Sequence, residues 1–270
     1  MKILYVTTFN KPIWKISANK MIDSFLRLNC DGDMLLCYEG FELDISSKKY
    51  INPKLNKKAN LIPYDISKDL FLKNWLKENN DVIPPEMGGS ADMRRKPEAF
   101  LPWNFRAAGW FRKIASMSYA LDNYGDNYDC IVFVDADCVF TKRLDSSVVF
   151  QAFKGHSYFY HWGLDRPKKG LGVESGFIGF KNDKLGYGIL SVWINKFKNK
   201  TFRRYLRWDD GGMFGNVVLE NPNSGGNDLV VNYADKTKSA SHVINRGIFA
   251  KYIVHNKGVH KKTVIKERRI

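Results

Sequence analysis

The chain has 270 residues, of which 44% are hydrophobic and 14% aromatic, so it is long enough to bury a large core. Its 43 lysine and arginine residues outnumber 28 aspartates and glutamates, which gives a net charge of +15. This composition excludes an intrinsically disordered chain, and no apolar run approaches the roughly 18 residues of a membrane-spanning helix. The first residues lack the apolar core of a signal peptide, so we expect a soluble, cytoplasmic protein.

The elements predicted in chain order begin with a β-α-β unit. An apolar, β-branched run over residues 3–8 predicts a buried strand. Ser17 is the expected cap of a helix with apolar residues at helical spacing up to Leu28, and residues 34–38 predict a second strand. Such a unit implies parallel strands joined by a right-handed crossover.

Further along the chain, residues 40–60 are polar and weakly patterned, and residues 66–76 predict a helix. Four prolines and a Gly-Gly pair over residues 81–102 predict a loop or lid, in which Arg94, Arg95 and Lys96 would meet phosphates. A helix is expected over residues 104–121, followed by the strongest strand, Cys130–Val134, as a central parallel strand.

Two residue types limit the chemistry. The cysteines are too few for a disulfide framework and contain no C-x-x-C pair, so free thiols are expected at Cys30, Cys37, Cys130 and Cys138. Basic residues cluster at positions 94–113 and 236–270. These clusters would attract nucleic acid, an anionic membrane or a polyphosphate substrate, and a solvated basic surface explains them equally well.

Asp135 and Asp137 directly follow the predicted central strand. Open α/β sheets bind ligands at the carboxyl ends of their strands. If the backbone stays extended, the two carboxylates project the same way and can hold one divalent cation. The alternative is that an aspartate at a strand end caps a helix or fills a turn.

Three segments carry a resemblance to a known family. Residues 131–140, IVFVDADCVF, resemble the core of GT-A-fold, nucleotide-sugar-dependent glycosyltransferases, in which an apolar strand ends in a DxD metal site. Residues 174–180, ESGFIGF, are similar to the small-residue turn and strand that shape the sugar pocket. Residues 255–261, HNKGVHK, fit the H-x-x-G-x-x-K pattern of the glycogenin-like and galactosyltransferase-like branches.

The resemblance implies an α/β, GT-A-like fold with a mostly parallel central sheet flanked by helices. The sequence has no internal repeat and no clear linker, so we expect one domain over residues 1–270, with a nucleotide-donor half (1–140) and an acceptor half (141–270) that ends in the metal and diphosphate segment. Asp135, Asp137 and His255 would bind Mn²⁺ or Mg²⁺, with His260 as the alternative to His255. The donor-binding residues would be Thr7, Thr8, Arg112, Lys113, Asp135, Ser175, Gly176, Gly258 and Lys261.

Four acids are candidates for the group that handles the acceptor: Glu174, Asp209, Asp210 and Asp228. The Asp209-Asp210 pair has a loop-like setting between a tryptophan and two glycines, and adjacent acids point apart on extended backbone. We therefore favour Asp210 or Asp209 as the base that accepts the hydroxyl proton. Asp228 is equally explained as a helix cap, and Glu174 would bind sugar hydroxyls.

The predicted function is metal-dependent, hexosyltransferase-type transfer of a sugar from a nucleoside-diphosphate sugar to a saccharide or other hydroxyl acceptor. The alternatives are a nucleotidyltransferase of the same fold class, a basic nucleic-acid-binding protein, and an inactive saccharide-binding relative. The paired carboxylates argue against nucleic acid as the partner. The basic C-terminal residues also fit peripheral contact with an anionic membrane.

Overall fold

The computed structural model describes residues 1–46, 60–79, 107–163, 173–205, 207–231 and 243–256. The strands of this part are β1 (Ile3–Asn10), β2 (Asp33–Glu39), β3 (Leu61–Asp65), β4 (Cys130–Val134), β5 (Cys138–Phe140), β6 (Tyr158–Gly163), β7 (Val173–Lys181), β8 (Gly226–Val231) and β9 (Ile253–His255). The helices are α1 (Lys11–Ile13), α2 (Asn19–Arg27), α3 (Leu70–Asn79), α4 (Ala107–Tyr124), α5 (Ser146–Phe153), α6 (Lys184–Lys198) and α7 (Asp210–Glu220).

Seven strands form one sheet in the order β3-β2-β1-β4-β7-β6-β8. Parallel pairing joins β3 to β2, β2 to β1, β1 to β4 and β6 to β8, whereas β7 is antiparallel to both β4 and β6. The prediction of an α/β fold with a mostly parallel central sheet is confirmed. The predicted strand Cys130–Val134 is central, but it is parallel to its neighbour on one side only.

Both faces of the sheet are covered. Ile131 and Phe133 of β4 face the core cluster that contains α4, α6 and α7, whereas Val132 and Val134 face the cluster that contains α2 and α5. Side chains alternate along a strand, so a strand packed on both faces is a continuous apolar run. This explains why β4 is the strongest strand signal in the sequence.

The predicted β-α-β unit is confirmed, with β1 and β2 parallel. The helical segment between them begins at Lys11, earlier than expected, and passes through a π-helical stretch, Trp14–Ala18, before α2. The expectation that Ser17 caps this helix is wrong: Asn10 is the cap, and its side chain accepts a hydrogen bond from the Ile13 N–H at 3.1 Å. Asparagine directly before an N-terminal proline turn is a strong helix start.

Strand β3 was not predicted. It contains Pro63, which has no N–H to donate, and proline is tolerated in a sheet at an edge strand, the position that β3 occupies. The helix expected over residues 66–76 is present as a 3-10 turn, Ile66–Lys68, followed by α3. Asp69 separates the two, and its carboxylate accepts a hydrogen bond from the Leu72 N–H at 2.8 Å.

The four cysteines are buried free thiols, as predicted. Burial raises the pKa of Cys37 to about 12, so this thiol is protonated at neutral pH. No helix in the described part of the chain is both long and apolar enough to cross a membrane.

Candidate active site

The Asp135-Ala136-Asp137 segment forms a turn between β4 and β5. The Cys138 N–H donates to the Asp135 carbonyl at 2.9 Å, so the backbone is turned rather than extended, and the condition attached to the shared-cation prediction is not met. The chain turns here because β5 leaves the main sheet and pairs with β9 in a separate two-stranded sheet. The turn still directs both carboxylates to one cleft, which both residues line.

His255 reaches the same place from the other end of the sequence. Strands β5 and β9 are antiparallel, with Cys138 opposite His255. The Nε2 atom of the buried His255 lies 2.7 Å from Asp137 Oδ1 and 3.5 Å from Asp135 Oδ2. The possible ligand atoms of these three residues all lie within 4.8 Å of one another. The three predicted metal ligands are therefore brought together.

The residues around this cluster fit a divalent cation. Two carboxylates and an imidazole form a ligand set that can hold a divalent metal ion. Gly176 leaves space for this arrangement, since a Cβ atom there would lie 2.6 Å from Asp135 Oδ2 and 3.2 Å from His255 Cε1. Gly176 itself lies within β7, so the prediction of a turn near residues 174–176 is wrong.

Lys113, on α4, connects the cluster to a second group of polar side chains. Its buried Nζ lies 3.1 Å from Asp135 Oδ1 and 3.2 Å from Ser175 Oγ, and it forms an ion pair with Asp210. Burial opposes the charged form, but the carboxylates of Asp135 and Asp210 outweigh it and raise the pKa of Lys113 above its ordinary value. Lys113 is therefore an ammonium held between two acids.

Arg112 takes a different direction from its neighbour. Its Nη2 donates to Glu39 Oε1 at 2.9 Å, its Nε donates to the other carboxylate oxygen, and its Nη1 donates to the Ala108 carbonyl at 2.7 Å. Adjacent helical residues point about 100° apart, which explains how Lys113 enters the cleft while Arg112 pairs with strand β2. The donor contact expected of Arg112 stays a prediction.

The adjacent acids Asp209 and Asp210 have different partners. Asp209 accepts two hydrogen bonds from Arg207, both at 2.7 Å, and one from the Gly212 N–H at 3.0 Å. It is the N-cap of α7, and its burial raises the pKa of its carboxyl although Arg207 opposes this rise. Asp210 instead accepts a hydrogen bond from Ser175 Oγ at 2.6 Å and pairs with Lys113. The loop-like setting expected here is wrong, because Asp210 is the first residue of a helix.

The remaining predicted residues fall into different settings. Thr8 lines the cleft, whereas Thr7, on the other face of β1, is buried, and its Oγ1 has no hydrogen-bond partner among the described residues. Glu174 is buried and accepts a hydrogen bond from the Gly176 N–H at 3.2 Å. Asp228 is an exposed residue of β8, so its interpretation as a helix cap is wrong.

Several predicted residues lie outside the described part of the chain. These are Gly258, Lys261, the alternative ligand His260, and Arg94-Arg95-Lys96 with the rest of the expected lid.

The cleft beside the cluster has a volume of about 300 Å³. Its lining residues are Thr8, Ile13, Gly109, Trp110, Lys113, Phe133, Asp135, Ala136 and Asp137. Neither Ile13 nor Trp110 was predicted from the sequence to line a site. The signal for Trp110 is weak, because a half-buried tryptophan beside a cleft follows the same helical spacing as a core residue.

No protein-family model and no curated protein sequence matches this chain. Among solved structures, mouse xyloside xylosyltransferase 1 is 13% identical at a TM-score of 0.47, with 85% of each chain covered. The glycosyltransferase GlyE of Streptococcus pneumoniae is 11% identical at a TM-score of 0.44; 85% of this chain is covered, which spans only 45% of GlyE. Both TM-scores are below 0.5, and both identities are below 25%.

Proposed function

We propose that this protein is a metal-dependent glycosyltransferase that moves a sugar from a nucleoside-diphosphate sugar to a hydroxyl acceptor. The observation that carries the proposal is the convergence of Asp135, Asp137 and His255 beside a cleft that also contains Lys113. A diphosphate leaving group needs positive charge around it, and this cleft combines a cation-binding cluster with a fixed ammonium.

Asp135, Asp137 and His255 would hold Mn²⁺ or Mg²⁺. When bound, the cation would offset the negative charge that develops on the departing diphosphate. Lys113 holds one oxygen of Asp135 at 3.1 Å, while the other oxygen lies toward His255. Such fixed partners orient a ligand carboxylate before the cation arrives.

The lining of the cleft suits the rest of a donor. A volume of about 300 Å³ is at the lower end of small-molecule sites, and the Thr8, Ile13 and Trp110 side chains supply a largely apolar wall for a nucleoside. Gly258 and Lys261 stay assigned to the diphosphate as predictions. Residues 1–140 supply this wall and both aspartates, in agreement with the proposed donor half.

Asp210 is the acid that we assign to the acceptor side. Both carboxylate oxygens of Asp209 accept hydrogen bonds from Arg207. One of them also accepts from the Gly212 N–H, which makes Asp209 the N-cap of α7. Asp210 instead contacts Ser175 and Lys113, and Lys113 in turn contacts Asp135. Glu174 and Ser175, one strand away, are the partners proposed for sugar hydroxyls.

The test is a panel of nucleotide sugars with Mn²⁺, scored for donor hydrolysis, sugar transfer and thermal stabilisation. In Asp137→Asn, kcat/KM should fall by roughly a thousandfold, because loss of the cation removes several kcal/mol of transition-state stabilisation. Wild-type protein in excess chelator should show the same loss. Asp126→Asn, at an exposed acid of a surface turn, is the matched control and should keep full activity.

Two outcomes would contradict the proposal. Full turnover of the wild type in chelator would exclude metal dependence. Release of pyrophosphate from a nucleoside triphosphate, without turnover of any nucleotide sugar, would identify a nucleotidyltransferase instead.

A further inference from the structure

Asn245 holds the backbone of His255 from the side opposite β5. Its Oδ1 accepts a hydrogen bond from the His255 N–H at 2.6 Å, and its Nδ2 donates to the His255 carbonyl at 3.0 Å. One side-chain amide therefore pairs with both backbone groups of one residue. This is the pattern that a neighbouring strand would supply.

This contact matters because β9 is short. The strand has three residues, and within the described part of the chain it pairs with β5 alone. His255 is its last residue, at the end where a short strand frays most easily. The next residue is also held, since the Asn256 N–H donates to the Asp137 carbonyl at 3.0 Å.

Asn245 lies on a segment that is packed into the core. It belongs to a 3-10 turn, Val243–Arg246, whose Ile244 is fully buried in the core. Phe249, which follows this turn, is also fully buried, and its ring centroid lies 4.6 Å from that of Phe177 on β7. The Asn245 side-chain amide therefore connects the backbone of His255 to a segment that is packed into the core.

We propose that Asn245 is a positioning residue of the metal centre, which keeps the His255 imidazole at the two aspartates before the cation binds. The inference rests on the metal site of the proposed function. Its physical basis is preorganisation: without the amide, part of the binding free energy is spent on ordering His255. Outer partners of metal ligands typically change metal affinity by about 10–100-fold when they are removed.

The experiment uses the full chain and Mn²⁺ alone. Asn245→Ala removes both hydrogen bonds, whereas Asn245→Asp keeps an acceptor for the His255 N–H and loses the donor to its carbonyl. Electron paramagnetic resonance of free Mn²⁺ gives the Kd, and the nitrogen hyperfine coupling of bound Mn²⁺ reports whether the imidazole is a ligand. His255→Ala provides the spectrum without the imidazole. Asn123→Ala is the matched control, since that exposed asparagine also donates to a backbone carbonyl.

We expect Asn245→Ala to raise the Kd for Mn²⁺ about 10–100-fold and to weaken the nitrogen coupling, with Asn123→Ala at wild-type values. If Asn245→Ala does not fold, Asn245→Asp supplies the comparison, with its melting temperature measured without metal. A lower melting temperature with an unchanged Kd and unchanged coupling would reduce Asn245 to a structural role and overturn the inference.

The two proposals fail in different ways. A wild-type protein that binds Mn²⁺ with nitrogen coupling but transfers no sugar contradicts the proposed function and leaves the role of Asn245 intact. A wild type that transfers sugar, with Asn245 variants that bind Mn²⁺ normally, contradicts the role of Asn245 alone. A wild type without nitrogen coupling overturns the assignment of His255, and with it this inference.

Discussion

Asp135 belongs to two clusters that differ in where their positive charge comes from. On one side, it lies with Asp137 and His255, a group of two carboxylates and an imidazole. On the other side, it contacts Lys113, whose ammonium is also paired with Asp210. The first cluster has the composition of a site that takes its cation from solution, whereas the second already contains one.

The acids of the two clusters differ in exposure, although His255 of the first cluster is buried. The side chains of Lys113 and Asp210 are 5% and 7% exposed, whereas that of Asp135 is 24% exposed. Removing one partner of a buried ion pair is strongly destabilising, because it leaves a charge that water cannot screen. Asp135 and Asp137 are partly exposed, so a ligand from solution can reach them. The Asp135 carboxylate therefore links an electrostatic anchor, the ion pairs of Lys113, to a candidate cation site that solvent can reach.

The largest expected effect comes from removal of the anchor. Lys113→Met leaves Asp135 and Asp210 without their shared ammonium and should lower the free energy of unfolding by about 3–5 kcal/mol. Chemical denaturation measures this change. The double variant Lys113→Met/Asp210→Asn removes one of the stranded charges and should recover part of the loss. A change below about 1 kcal/mol in the single variant would mean that Lys113 is not an obligatory counter-ion.

The next largest effect is expected from the two adjacent acids at the start of α7, Asp209 and Asp210. Asp210→Asn should lower the rate of sugar transfer about 100-fold, the usual scale for a group that moves a proton. Asp209→Asn should keep the rate within about threefold, because asparagine is also a good helix cap and the loss falls on Arg207. Steady-state kinetics with the donor identified in the panel compares the two. Equal losses would show that the contrast between these neighbours has no functional meaning.

A smaller effect is expected where the clusters meet. Gly176→Ala would place a Cβ atom 2.6 Å from Asp135 Oδ2, which is closer than the two atoms can approach, so the carboxylate must shift. The Kd for Mn²⁺, measured by titration, should rise about 10–100-fold, with a loss of unfolding free energy of about 1–2 kcal/mol. Gly188→Ala is the control, since nothing lies within 4 Å of a Cβ there. Unchanged Mn²⁺ affinity would place the cation away from Asp135.

Much of the site was predictable because its signals are local. A continuous apolar run followed by Asp-Ala-Asp marks a central strand and the carboxylates at its end, and both are found together. The strand containing Pro63 could not be predicted in this way, because it depends on its place at an edge of the sheet, where proline is tolerated. The cap at Asn10 is itself a local signal that was missed, and it starts the helical segment about two turns before the start expected after Ser17.

The residue types of the cluster, the β-α-β opening and the parallel pairing of the first strands could be predicted from the sequence, because hydrophobic periodicity acts over a few residues. Three features depend on the tertiary structure: the Asp-Ala-Asp segment turns, Lys113 rather than Arg112 enters the cleft, and Asp210 rather than Asp209 pairs with Lys113. The tertiary structure also brought Asn245 to His255 through the packing of the turn that carries it. These features depend on contacts between different elements of the fold, which local patterns in the sequence do not specify.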